Sequence, residues 1–153
     1  MRIPAGTGIL RDFSYIAPEI PLLNSENCVA CMACVIECPD TAILGKVVPK
    51  AKLEAELATI PDEAEREHYR KQFGKTTKFW NVYEKKGDEP GYFGIFIDPT
   101  KCKGCAECVQ VCGDHNALTM VAKDDVGLDG YRKDWDFYKQ LPETPAAYIN
   151  ERV

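Results

Sequence analysis

Apolar positions cluster into four short extended runs. Gly94-Ile95-Phe96-Ile97-Asp98 and Ala117-Leu118-Thr119-Met120-Val121 are the stronger two, and Glu19–Leu23 and Ala42–Val48 are weaker counterparts. Branched and aromatic residues in runs of this length read as strands. The runs bracket two segments, and the two around each segment are expected to pair antiparallel. Short helices are expected to begin inside the bracketed segments, around 34–38 and 108–112. Two such β-loop-α-β halves make an α+β fold of βαββαβ type with pseudo-two-fold symmetry.

The halves, 20–48 and 91–122, account for 61 of 153 residues. Residues 1–19, with Pro4, Gly6, Gly8 and Pro18, read as an extended N-terminal arm. In the insert, 49–90, Leu53, Leu57 and Ile60 share one helical face. Pro61, Asp62, Glu63 and Glu65 suit the start of a second helix, Arg66, Arg70 and Lys71 its end, and Gly74 a stop. Tyr69 and Phe73 are spaced to pack together. Phe79, Trp80, Val82 and Tyr83 read as an aromatic extended stretch.

In the tail, 123–153, Tyr131, Trp135 and Tyr138 form a helical stripe ended by Pro142 and Pro145, with Tyr148 and Ile149 beyond. These aromatics suit a cover for the chain's own core, and they equally suit anchors for a larger partner. With so many residues outside the halves, the arm, insert and tail are expected to dock onto a partner, and the domain is expected to span 20–122.

Composition narrows the class. Hydrophobic residues make up 45% and charged residues 28%, as in a globular chain. The net charge of -5 argues against nucleic acid as the main partner. No apolar run approaches a membrane span. The N-terminus lacks the basic-then-apolar order of a secretory leader, so a cytoplasmic location is expected. No glycine-rich nucleotide fingerprint or nucleophile motif is present. His68 lies among charges and reads as a solvated side chain. His115, three residues after Cys112, reads as a surface or loop-stabilising residue more than one that tunes a metal site.

The eight cysteines carry the chemistry. Cys28, Cys31, Cys34 and Cys38 precede Pro39, and Cys102, Cys105, Cys108 and Cys112 precede Gly113; each set reads C-x2-C-x2-C-x3-C. Disulfides between thiols three residues apart would close strained loops without a long-range staple. Structural zinc takes paired ligands from separated knuckles. The run is that of two-cluster bacterial ferredoxins, and this resemblance implies two iron–sulfur clusters with crossed ligation. Cluster I would take Cys28, Cys31, Cys34 and Cys112, and cluster II would take Cys102, Cys105, Cys108 and Cys38. No Asp replaces a second Cys, which favours [4Fe-4S] over three-iron clusters. Metal binding and folding are then one event. Ala30, Ala33, Gly104 and Ala106 allow close approach to a cluster, and Val35, Ile36, Val109 and Val111 are expected to line it.

The run Cys28–Pro39 with Asp40-Thr41-Ala42-Ile43 resembles the two-cluster domain of pyruvate:ferredoxin oxidoreductase. So does Phe96-Ile97-Asp98-Pro99-Thr100-Lys101-Cys102-Lys103-Gly104-Cys105, with Ala117-Leu118-Thr119-Met120 behind it. Gly113 stands where that pattern has Pro. The resemblance implies a delta-type electron-transfer subunit of a 2-oxoacid:acceptor oxidoreductase, with no catalytic site of its own. Thiamine diphosphate and Mg would sit on partner subunits and act on pyruvate, 2-oxoglutarate, an arylglyoxylate or a branched-chain 2-oxoacid. In many members coenzyme A accepts the acyl group. Electrons would pass to ferredoxin or an NAD-reducing subunit. The alternatives are a free-standing diffusible ferredoxin and a ferredoxin-like subunit of a hydrogenase or quinone-linked complex.

Overall fold

The computed structural model describes residues 12–149. Pro4, Gly6 and Gly8 of the expected arm lie outside the described residues, as does the end of the tail. The fold is α+β. Strand β1 (Glu19–Leu23) pairs antiparallel with β5 (Leu118–Ala122), Ile20 opposite Val121. Strand β4 (Gly91–Ile97) is the centre of a second antiparallel sheet, between β2 (Ile43–Pro49) and the two-residue β3 (Phe73–Gly74).

The expected pairing is thereby corrected. Strands flanking one cysteine motif do not pair with each other; each pairs with a strand flanking the other motif. The connections explain why. A hairpin is closed by about two to five residues, whereas Asn24–Ala42 and Asp98–Ala117 are long loops that also hold α1 (Ala33–Ile36) and α5 (Glu107–Cys112). Each loop delivers its strands to different sheets.

All seven residues of β4 are buried, because both its faces are covered. Phe93, Ile95 and Ile97 point with Ile43 and Val47 into a core shared with Ala30, Cys102, Cys108 and Leu118. Tyr92 and Phe96 point the other way, with Val48, into a second core built by the insert and the tail. Helix α2 (Lys50–Ala58) gives that core Leu53 and Leu57, and α3 (Glu63–Lys71) gives it Tyr69. The Asp62 carboxylate caps α3, accepting from the Ala64 N–H at 3.0 Å.

Several details of the insert differ from expectation. Gly74 lies in β3 and does not end α3; a Cβ there would come 2.3 Å from the Ser25 carbonyl oxygen. Tyr69 stacks on Phe137, with ring centroids 4.3 Å apart, and Phe73 meets Phe96, so the two do not pair with each other. The stretch around Phe79–Tyr83 is helical, a π-turn at Thr77–Asn81 running into α4 (Val82–Lys86). Its start is capped by Thr76, whose hydroxyl accepts from the Phe79 N–H at 3.3 Å.

The tail folds back onto the chain. After β5 come α6 (Lys123–Val126) and α7 (Leu128–Gln140). Tyr131 is buried on the cysteine side of β4, and its hydroxyl donates to the Pro21 carbonyl at 3.1 Å. Tyr138 packs on Phe96, and Trp135 stacks on Tyr138. Tyr148 meets Phe79 and Tyr83 and donates to the Glu89 carbonyl at 2.8 Å. Tyr131 and Tyr148 are buried and Trp135 and Tyr138 half-buried, so these aromatics cover the chain's own cores. Ile149 is 55% exposed.

Candidate metal centre

The eight thiols are free and gather in two chambers. Cys28, Cys31, Cys34 and Cys112 line one chamber, and Cys38, Cys102, Cys105 and Cys108 line another. Each chamber thus combines three thiols of one motif with the fourth of the other. The strand pairing brings this about. Cys38 leads into β2, β2 lies on β4, and β4 leads into the loop of Cys102. Cys112 ends α5, which packs against α1 of the first motif.

The two loops share a backbone pattern. Ala30 and Gly104 hold the same place in their motifs and have φ of 59° and 67°; Met32 and Ala106 share the next such place, at 66° and 64°. The backbone amides of Ala30 and Gly104 offset part of the upward push of burial on the Cys28 and Cys102 thiols. Ala30 adopts this left-handed turn with a side chain, whereas Gly104 needs glycine for space, since a Cβ there would come 2.7 Å from the Ala17 Cβ. The Ala42 N–H donates to the Cys38 sulfur at 3.2 Å. Amide donors of this kind stabilise thiolate sulfur and tune a bound centre. Where the first motif has Pro39, Gly113 takes φ 51°, ψ -129°, open only to glycine, and starts a 3-10 turn through His115.

Most of each wall is apolar. Met32, Phe93, Ile95 and Leu118 line the first chamber, with His115 at its edge; Pro21, Ala42 and Ile43 line the second, with the ion pair of Asp40 and Lys103 beside them. Of the four aliphatics expected as lining, Val35 and Val109 pack against this core. Ile36 and Val111 correct the expectation: they face solvent, Ile36 at 77% exposure, because they sit on the outer sides of α1 and α5. Burial, reinforced by neighbouring thiols, pushes Cys34 and Cys108 up to about 12. Burial also raises Cys28 and Cys102. Four thiolates facing one such space repel one another and need a cationic centre.

The residues present fit iron–sulfur clusters. Zinc would need all four ligands about 2.1–2.3 Å from one ion. Among the described residues, no three or more His, Cys, Asp or Glu side chains converge on such a point. The thiols stand instead around the walls, a spread suited to a cluster of several atoms.

His115 lines the first chamber from an exposed position. His68 differs from expectation. Its Nε2 lies 2.7 Å from the Asp134 carboxylate on α7, which also accepts from Gln72 at 3.2 Å. Sixty-six residues separate this pair, so no local signal marks it.

Comparison with known proteins agrees with this geometry. Residues 21–44 and residues 99–119 each match a 4Fe-4S binding domain. The chain is 33% identical over 134 residues to pyruvate:ferredoxin oxidoreductase of Moorella thermoacetica, covering 87% of this chain and 10% of that protein. It is 31% identical over 134 residues to pyruvate-flavodoxin oxidoreductase of Nostoc sp., covering 83% and 10%. It is 29% identical over 158 residues to pyruvate dehydrogenase (NADP+) of Cryptosporidium parvum, covering 98% and 7%. The chain spans about a tenth of the length of the curated relatives it matches. No helix among the described residues is long and apolar enough to cross a membrane.

Proposed function

We propose, from the premise that this chain is a two-[4Fe-4S] ferredoxin-type module of the pyruvate-flavodoxin and pyruvate:ferredoxin oxidoreductase family, that it relays electrons out of a 2-oxoacid oxidoreductase one at a time. The donor is a thiamine-diphosphate centre, with its Mg, on partner subunits or domains. The acceptor is a ferredoxin, a flavodoxin or a nicotinamide-reducing partner, and the assembly works in the cytoplasm. The matched relatives bear names that fit a pyruvate substrate and each of these acceptors.

The observation that carries the reading is the crossed lining of the two chambers. Cys28, Cys31, Cys34 and Cys112 would hold one cluster, and Cys38, Cys102, Cys105 and Cys108 the other. When bound, each cluster supplies one-electron redox chemistry. The chain's own residues hold thiolates in place, donate amide N–H groups to sulfur and keep water out through Phe93, Ile95 and Leu118. Cys31 and Cys105 are exposed, so each chamber has an edge that a partner can approach.

Anaerobic purification tests this reading. The protein should carry about eight irons and eight acid-labile sulfides per chain, the content of two four-iron clusters. Its visible absorption should bleach with dithionite, and with a 2-oxoacid once the catalytic partner is added. Stoichiometric zinc without sulfide would overturn it.

A further inference from the structure

Two lysines are buried among the described residues, Lys46 and Lys123, at 3% and 7% exposure. Lys46 faces the helical layer, donating to the carbonyls of Tyr138 and Leu141. Lys123 opens α6 directly after β5. Its backbone N–H donates to the Pro18 carbonyl at 2.9 Å, and its Nζ donates to the Ser14 carbonyl at 2.9 Å.

Lys123 thus clasps the turn Ser14–Pro18, and the other side of that turn is the second cysteine loop. The Phe13 N–H donates to the Thr100 carbonyl at 2.7 Å. Gly104 approaches Ala17 so closely that a Cβ there would lie 2.7 Å from the Ala17 Cβ. The ammonium is therefore held against the Ser14 end of a turn whose other side packs on the loop of Cys102 and Gly104. It forms no ion pair among the described residues. Asp12 feels its charge, yet Asp12 is half-exposed, accepts from the Ser14 N–H at 2.9 Å and stands 3.9 Å from Arg132.

Among the described residues the first chamber has no counterpart, since the other buried lysine, Lys46, is turned to the carbonyls of Tyr138 and Leu141. The residue that follows β2 in chain order is Lys50, exposed at the head of α2.

We propose that Lys123 sets the two clusters apart in potential, its buried charge favouring the extra electron on the cluster of Cys38, Cys102, Cys105 and Cys108. One-electron reduction adds one negative charge to a cluster and makes or breaks no bond. A fixed, buried cation favours the more negative form. The first electron delivered, by the catalytic partner or by dithionite, therefore settles beside Lys123. Lys123 is a positioning residue that acts through space. This inference rests on the function proposed above.

Redox titration of the holo-protein followed by EPR tests it, with proton NMR of the cysteine β-CH2 groups in partly reduced samples locating the electron. Lys123→Gln keeps a donor for the Ser14 carbonyl and removes the charge. The higher of the two potentials should fall by about tenfold in the reduction equilibrium, about 59 mV for one electron, and the lower should stay. Lys123→Arg should restore it. Two intact clusters whose potentials are unmoved, or moved equally, would overturn the inference and leave the function standing. If Lys123→Gln fails to assemble clusters, the wild-type NMR decides, and an electron resting at Cys28, Cys31, Cys34 and Cys112 overturns the inference. Wild-type protein without two four-iron clusters would overturn the function itself.

Discussion

The Asp98 N–H donates to the Ala42 carbonyl at 2.7 Å, tying the residue four after Cys38 to the residue four before Cys102. The bond is the middle of a chain. The Ala42 N–H donates to the Cys38 sulfur, and the Asp98 carbonyl accepts from the Cys102 N–H at 3.0 Å. The last cysteine of one motif and the first of the other are thus linked through three hydrogen bonds. Metal in the second chamber and the pairing of β2 with β4 then support each other.

Asp98 is also the organiser of its turn. Its buried carboxylate accepts from both the N–H and the hydroxyl of Thr100, at 2.9 and 2.7 Å. Asp98→Ala leaves both donors without this partner and should cost about 1–3 kcal/mol. The expected result in chemical denaturation is a lower midpoint, with the second-chamber cluster the first to be lost. An unchanged midpoint would contradict the role given to Asp98.

The thiols couple loading to pH. Cys34 and Cys108, pushed up to about 12 by burial, must give up protons to bind iron. Iron binding should therefore strengthen as pH rises from 7 to 9, and stripping by a chelator should slow over the same range. In the metal-free chain the sign reverses. Its folded form holds thiol protons more tightly than the unfolded form, so this contribution to stability is whole below pH 9 and is lost as pH rises toward 12. A stripping rate that does not change with pH would contradict this coupling.

The tail is a stabilising cover. Truncation after Asp124 removes Tyr131, Phe137, Leu141 and Tyr148, all buried. At about 1.5–3 kcal/mol for each large apolar side chain, the loss rivals the whole stability of a typical domain, about 5–15 kcal/mol. The truncated chain should fail to hold its clusters. Retention of both clusters at full thermal stability would show that the tail belongs to a partner surface after all.

The end of that helix has its own clamp. Lys46 donates to the carbonyls of Tyr138 and Leu141 at 3.1 and 3.0 Å and lies over the Tyr138 ring. Lys46→Met should destabilise the fold by about 1–3 kcal/mol and expose the segment beyond Gln140 to protease. Protease resistance equal to the wild type would contradict the clamp.

What was legible in the chain was local. Cysteine spacing pointed to the iron–sulfur chemistry because three ligands fall within one short loop, while the crossed fourth ligand came only from the resemblance to two-cluster ferredoxins. Leu53 and Leu57 marked α2 through periodicity, and the acidic start at Asp62, Glu63 and Glu65 marked α3. Strand partners were not legible, since the alternation in β4 suits β2 and β5 equally and only the folded loops choose between them. Thr76, three residues before Phe79, was a cap signal that would have turned the stretch around Phe79–Tyr83 from strand to helix. The stripe of Tyr131, Trp135 and Tyr138 showed an apolar face, and no periodicity tells whether that face meets its own core or another protein.

Crossed cluster ligation is the centre of the account, and Cys38→Ala tests it most directly. The variant is purified without oxygen, its uncovered thiols are alkylated, and the modified cysteines are mapped by peptide mass. Alkylation of Cys102, Cys105 and Cys108, with Cys28, Cys31, Cys34 and Cys112 protected, is the predicted result. Alkylation of Cys28, Cys31 and Cys34, with the second motif protected, would contradict it.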